Sequence, residues 1–272
     1  DTKPKLFPYF NLNFDKEQYL TTKPFPYIYI DNILENEFAK SCQEEILNIK
    51  DSEWDRYSNP FENKFTLRNK DNLPDNCQKL FNYLTSNIFL EMLSLKLGVK
   101  LFNDPIKNWW GIHKYQHNDN LDIHCDAGIH PVTENKKHCT LGIYLSKNWE
   151  EENKGHLEIW NGDKITDDNP ELKNKVFSIL PIFNRLVLFN CTDNAWHGNP
   201  EPVNIIKDEM RIFLTISYLS NNFTENYTNK NKKAFFIKRP NDPDNPEKDK
   251  LRLLRVDPEK YKEVYNINSE TQ

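Results

Sequence analysis

The triplet His124-Cys125-Asp126 carries two groups that can share a metal ion. Side chains alternate from face to face along an extended strand, so positions 124 and 126 project the same way, and Cys125 projects the other way into the core. One imidazole and one carboxylate leave an ion too loosely held, and a third ligand has to come from elsewhere in the chain. His197, in Asn194-Ala195-Trp196-His197-Gly198, is the best-placed candidate. Two histidines and one carboxylate on one side of an ion form a facial arrangement that suits Fe(II) and leaves positions open for a cosubstrate and O2.

Arg211 opens the apolar run Arg211-Ile212-Phe213-Leu214-Thr215-Ile216-Ser217-Tyr218. A cation in such a strand needs an anionic partner, because an unpaired buried charge is costly. A dicarboxylate cosubstrate would supply one, and the planar fork of arginine fits a carboxylate better than a lysine does. Tyr144, in Leu141-Gly142-Ile143-Tyr144-Leu145, can add a hydroxyl donor to the same group, and the loop carboxylates Asp208 and Glu209 are the competing partners for Arg211. His113, His117, His130, His138 and His156 lack a ligand spacing that rivals the triad and are expected at the surface or in supporting positions. Trp109, Trp110 and Trp160 are candidates for the mouth of the site, with core packing the expected role of at least two of them.

These residues need a scaffold, and the hydrophobic pattern describes one. Residues 1–24 read as an irregular lead-in, and Tyr27-Ile28-Tyr29-Ile30-Asp31 reads as a strand that enters a helix carrying Ile33, Leu34, Phe38, Ala39, Cys42, Ile46 and Leu47 on its apolar side. Residues 51–75 mix Trp54, Tyr57, Phe61 and Phe65 with charges and read as a loop, and a second helix is expected from Pro74-Asp75 to about Leu97. Beyond Gly98 come short strands separated by polar turns, at about 108–116, 121–126, 138–145, 156–160, 176–180, 185–190, 195–198 and 210–219. That number of strands suits a double-sheet jelly roll, with the helices covering one sheet. The expected fold is therefore mainly β with flanking helices: an N-terminal support over 1–107, a catalytic core over 108–221 and a charged C-terminal arm over 222–272. That arm loses strand texture and ends in a short helix near Pro258–Tyr265.

Composition narrows the class further. Hydrophobic residues make up 37%, charged residues 28% and aromatic residues 13% of the 272 positions, which fits a folded domain rather than a disordered chain. The net charge of −5 gives no sign of a nucleic-acid or membrane-surface partner, both of which ask for a basic excess. No stretch approaches the ~20 apolar residues of a membrane span. Cysteines at 42, 77, 125, 139 and 191 form no C-x-x-C pair, which argues against a disulfide scaffold or structural zinc and for a reducing, cytoplasmic compartment, unless a signal has been trimmed. The oligomeric state does not follow from the sequence.

Residues from about 108 to 219 resemble the catalytic domain of Fe(II)/2-oxoglutarate-dependent oxygenases of the prolyl-4-hydroxylase type. The segments that carry the resemblance are Gly111-Ile112-His113-Lys114-Tyr115, the H-x-D triplet, Tyr144-Leu145-Ser146-Lys147-Asn148-Trp149, Gly155-His156-Leu157-Glu158-Ile159-Trp160, Phe183-Asn184-Arg185-Leu186-Val187-Leu188-Phe189, Trp196-His197-Gly198-Asn199-Pro200-Glu201-Pro202 and the Arg211 strand. The resemblance implies a double-stranded β-helix with His124, Asp126 and His197 on iron, and Arg211 on the distal carboxylate of 2-oxoglutarate. It also implies Tyr115 and Tyr144 hydrogen-bonding in the same pocket, Fe(II), 2-oxoglutarate and O2 as requirements, and ascorbate as a reductant.

Three departures from the family pattern stand out. Lys154-Gly155-His156 replaces a more glycine-rich turn, Arg211 occupies a position where collagen-type members carry lysine, and loop 199–209 is longer than is common. The activity expected is hydroxylation of an unactivated C–H bond with release of succinate and CO2, on a prolyl residue of a peptide or protein in the first instance. A free amino acid, sugar or other small metabolite is the alternative substrate, since one scaffold hosts many. A binding module with a lapsed metal site is a third class, and the intact ligand residues speak against it.

Overall fold

A computed structural model describes residues 10–126, 128–223, 233–257 and 259–260 of the chain. Helix α1 (Lys16–Thr21) and strand β1 (Tyr27–Asp31) lead into α2 (Asn36–Leu47), followed by a hairpin of β2 (Trp54–Ser58) and β3 (Glu62–Leu67), then α3 (Asp75–Leu84) and α4 (Asn87–Leu97). The strands β4 (Trp110–Tyr115), β5 (Asn120–Cys125), β6 (Lys136–Tyr144), β7 (Leu157–Gly162), β8 (Leu172–Ile179), β9 (Arg185–Asn190), β10 (Trp196–Asn199) and β11 (Arg211–Ser220) come next. A two-residue strand β12 (Phe235–Phe236) and helix α5 (Pro246–Val256) follow.

Strand neighbours run β1-β9-β6-β11-β4-β3-β5-β10-β7-β8, with β2 paired to β3 and β12 to β5. Each described pairing is antiparallel. The path curls into a nearly closed barrel, the jelly-roll or double-stranded β-helix arrangement expected from the strand pattern. Closure depends on β3, which pairs with β4 through Phe65 opposite Lys114 and with β5 through Glu62 opposite Leu121.

Strand alternation sorts the side chains. On β11, Ile212, Leu214 and Ile216 join Leu141, Ile143, Leu186 and Leu188 against Phe38, Leu80, Phe89 and Leu93 of the helices. The alternate residues Arg211, Phe213, Thr215 and Ser217 face a cavity inside the barrel. Each large apolar side chain removed from water on the helix side contributes about 1.5–3 kcal/mol, so the sandwich of helices on β6, β9 and β11 fixes the wall that the cavity residues stand on.

The structure departs from the sequence expectations in four places. Residues 51–75 are not simply a loop: β2 and β3 form a hairpin whose turn is held by Asn59 Oδ1, which accepts from the backbone N–H of Phe61 and Glu62. Its strands are mostly half-buried or exposed, so they lack the clean apolar alternation that marks a strand in sequence. The helix expected over 74–97 is two helices, because the Ser86 hydroxyl accepts from Phe89 N–H and starts α4 afresh. The lead-in contains α1, capped by Asp15 accepting from Gln18 N–H. The C-terminal arm regains regular structure in β12 and in α5, which begins with Pro246 behind the capping Asn245. Of the helix expected near Pro258–Tyr265, only Glu259 and Lys260 lie among the described residues, in a turn.

Candidate metal centre and cosubstrate cavity

His124 lies near the end of β5 and Asp126 just beyond it, while His197 stands directly opposite His124 on the neighbouring strand β10. The two imidazole rings are 4.4 Å apart. Glycine at 198 permits this close strand contact, since a Cβ there would lie 2.6 Å from the Asp122 carbonyl oxygen. Potential donor atoms of His124, Asp126 and His197 lie within 4.8 Å of one another, the one cluster of its kind among the described residues that can hold a metal ion. Nε2 of His124 is 3.6 Å from Asp126 Oδ1, and Nε2 of His197 is 3.3 Å from Asp126 Oδ2.

The tautomers suit ligation. His124 Nδ1 is 2.8 Å from the Asp122 carbonyl and His197 Nδ1 is 2.8 Å from the Ala195 carbonyl. A carbonyl only accepts, so each Nδ1 carries the hydrogen and each Nε2 turns a lone pair toward Asp126. Burial pushes the His124 pKa down to about 4 against the pull of Asp126, which favours the neutral, ligating ring. Burial alone would raise the Asp126 pKa, but Lys137, His124 and His197 outweigh it and hold the carboxyl well below the usual range. Cys125 turns away into a cluster with Ile123, Trp160 and Trp196, as alternation requires.

His124, Asp126, His197, Arg211, Tyr115 and Tyr144 all line one cavity of about 260 Å³. Arg211 is 1% exposed, and its guanidinium lies 4.4 Å from the Tyr115 ring centroid and 5.2 Å from that of Tyr144. Its Nε donates to the Gly155 carbonyl at 3.0 Å, whereas its Nη1 is buried with no hydrogen-bond partner among the described residues. Asp208 pairs with Lys147 at 2.6 Å, and Glu209 accepts from the Ile206 and Lys207 N–H groups, so these carboxylates are engaged elsewhere. Tyr115, opposite Arg211 across β4 and β11, reaches Asn199 Oδ1 at 3.5 Å, and Asn199 Nδ2 is a second buried donor without a partner among the described residues. Burial pushes the Tyr144 pKa up to about 12 although Arg211 opposes it, so its hydroxyl keeps its proton. Unpaired donors around a buried cation are the complement of a carboxylate.

Several cavity residues were not singled out in the sequence. Lys137 sits 3.4 Å from Asp126 Oδ2, and Glu62 and Lys64 arrive on the hairpin. Phe236 of β12 stands opposite His124 with its ring 5.3 Å away. His113, expected at the surface or in support, lines the cavity with Nδ1 buried and without a partner among the described residues. His130 is also not a surface group: it is fully buried, 2.9 Å from Asp104. Trp109 and Trp110 reach the cavity wall, while Trp160 packs in the core and donates to Glu158.

Comparison with known proteins identifies the domain that carries these residues. Residues 110–219 match the family model of the 2OG-Fe(II) oxygenase superfamily. No curated protein matches the chain. Among solved structures, a Pseudomonas putida prolyl-4-hydroxylase superposes with a TM-score of 0.54 at 12% identity, covering 77% of this chain and 98% of its own. A Trichoplax adhaerens prolyl hydroxylase, solved with a hypoxia-inducible-factor peptide fragment, gives 0.51 at 20% identity over 76% and 87% of the two chains. A 2OG-Fe(II) oxygenase family oxidoreductase from Burkholderia pseudomallei gives 0.50 at 11% identity over 78% and 93%. At these identities the solved structures speak to the fold alone, which is the jelly roll described above. Residues 110–219 thus form a 2OG-Fe(II) oxygenase domain, and the chain that carries it is a 2-oxoglutarate-dependent dioxygenase.

Proposed function

We propose that the chain hydroxylates a prolyl residue of a peptide or protein, using Fe(II) held by His124, Asp126 and His197 and 2-oxoglutarate held by Arg211. One observation carries the site assignment: the buried guanidinium with its unpartnered Nη1 shares a cavity with the His-Asp-His cluster. The two backbone-fixed imidazoles and the acidic carboxyl fit a ferrous ion, and the orphaned Arg211 and Asn199 donors fit an anionic cosubstrate. When bound, the iron and 2-oxoglutarate supply the oxidising power for C–H hydroxylation, with succinate and CO2 as co-products.

The protein's own part is placement. Asp122 and Ala195 carbonyls hold the ligand rings in one tautomer. Gly155 and the rings of Tyr115 and Tyr144 fix Arg211 in the cavity wall. Tyr115 and Tyr144 offer hydroxyls toward the same carboxylate, and the apolar walls at Leu157, Phe189 and Phe213 keep water from the reacting atoms. Ascorbate belongs to the same proposal, as the reductant that keeps the iron ferrous.

In this reading residues 108–221 are the catalytic core, residues 1–107 its support and residues 222–272 an arm. The prolyl substrate is supported by the prolyl hydroxylases among the structural neighbours. Five buried free thiols support a reducing compartment such as the cytoplasm, and no described helix is long and apolar enough to cross a membrane. The test is mass spectrometry of candidate peptides and metabolites after incubation with Fe(II), 2-oxoglutarate and O2. Gain of one oxygen on proline, matched by succinate, is the expected result. Products confined to free amino acids or sugars would move the assignment to a metabolite hydroxylase.

A further inference from the structure

The cavity carries more positive charge than its proposed contents need. Its lining includes the cations Lys64, Lys137, Arg211 and Arg255 and the carboxylates Glu62 and Asp126. Among the described residues that is a surplus of two positive charges, in a chain whose overall charge is −5. A ferrous ion would add two and a 2-oxoglutarate dianion would cancel two, so the surplus survives loading.

Lys137 feels this most directly. Its side chain is 11% exposed, its Nζ is 3.4 Å from Asp126 Oδ2, and it lies 5.2 Å from the Trp109 ring centroid. When Asp126 commits its charge to a divalent ion, Lys137 loses most of its counter-charge and gains a cationic neighbour. A buried ammonium left in that state is expensive unless an anion joins it. On the hairpin side, Lys64 and Arg255 both act on the single carboxylate of Glu62, which is 3.3 Å from Lys64.

We propose that the substrate entering this cavity is anionic: a peptide bearing Asp or Glu close to the hydroxylated residue, whose carboxylate is met by Lys137 with help from the Lys64 and Arg255 side. The proposal rests on the iron and 2-oxoglutarate reading above and adds the substrate's charge to it. Trp109 and Phe236, on the same lining, supply apolar surface for the rest of the peptide.

The test uses the full chain loaded with Fe(II) and 2-oxoglutarate without O2, so that binding is read without turnover. Fluorescein-labelled peptides share a central proline and carry Asp, Asn or Lys at the flanking positions, and affinity is followed by anisotropy at rising salt. The Asp peptide should bind about tenfold more tightly than the Asn peptide and the Lys peptide least, with the preference shrinking as salt screens it. Lys137→Met should remove most of the preference, Lys137→Arg should retain it, and Arg255→Gln should weaken it. Equal affinity for Asp and Asn peptides, with proline still hydroxylated when O2 is admitted, would overturn the charge proposal and leave the prolyl reading intact. Failure of every proline peptide to bind or react would overturn the prolyl reading and the acidic-peptide proposal with it.

Discussion

Arg211 Nε donates to the carbonyl oxygen of Gly155 at 3.0 Å, and a Cβ at position 155 would stand 3.2 Å from Arg211 Cδ and Nε and 2.7 Å from Val203. The backbone there is left-handed, with φ +70° at Gly155 directly after φ +58° at Lys154. The placement of Arg211 thus depends on a turn at which a side chain would be strained. Gly155→Ala should cost about 1–3 kcal/mol, from the left-handed conformation and the contact with buried Val203. It should also raise the 2-oxoglutarate requirement. Chemical denaturation and cosubstrate titration together check this, and an unchanged requirement would detach the turn from the arginine.

Arg211→Ala should raise the concentration of 2-oxoglutarate needed for half-maximal succinate formation by roughly 10- to 100-fold, as expected for losing charge-assisted hydrogen bonds worth about 1.5–3 kcal/mol. Arg211→Lys should recover part of that loss, because the charge returns without the planar fork. Equal requirements in wild type and Arg211→Ala would mean that the carboxylate binds elsewhere.

His124→Ala, Asp126→Ala and His197→Ala should each abolish succinate formation and weaken Fe(II) binding measured directly by equilibrium dialysis. A chelator should silence the wild-type protein reversibly, with activity returning on Fe(II) addition. Any one variant that retained full activity would leave the metal shell without that residue.

The strands carrying these groups were legible because their side chains obey a period of two under a helix layer: Leu186 and Leu188 face the helices while Phe189 faces the cavity. The convergence of His124 and Asp126 followed from the same period. Other features were hidden for identifiable reasons. The hairpin buries little of itself, so its sequence looks like a charged loop although it closes the barrel. The break between α3 and α4 is signalled only by Ser86, whose capping role competes with an apolar pattern that runs straight through it. Lys137 and Phe236 reach the cavity through pairings with distant strands and Arg255 reaches it from helix α5, and no local spacing records such contacts. A two-residue strand such as β12 has no periodicity to read.

Acid should destabilise the fold partly through His138, whose Nδ1 lies 3.0 Å from Ser220 Oγ. Burial, with Lys136 adding to it, pushes the His138 pKa down to about 4. In the unfolded chain the same ring titrates near ~6.5, so between those limits the unfolded state binds more protons and stability rises with pH. The contribution is complete above about pH 6.5 and is lost as pH falls to about 4, amounting to about 3 kcal/mol at the acid end. His138→Gln should flatten the stability profile in that window relative to wild type. Denaturant midpoints measured from pH 7 to 4 check it, and parallel profiles would exclude His138 as the source.

Arg56 on β2 forms a two-pronged pair with Asp119, both nitrogens at 2.7 Å, and Asp119 also accepts from Gln116 N–H. The carboxylate is 3% exposed while the guanidinium is 31% exposed, so the two partners are not equivalent. Removing Arg56 strands a buried anion, and Arg56→Met should cost about 1–3 kcal/mol after allowance for solvent around the arginine. The double change Arg56→Met with Asp119→Asn removes the stranded charge as well and should recover part of the loss, which a double-mutant cycle measures. The pair ties the hairpin to the turn between β4 and β5, so Arg56→Met should also loosen the hairpin that brings Glu62 and Lys64 to the cavity. Faster hydrogen exchange at residues 62–66, with exchange on β9 and β11 unchanged, is the expected signature. Uniform acceleration over the whole barrel would show instead that the pair supports global stability alone.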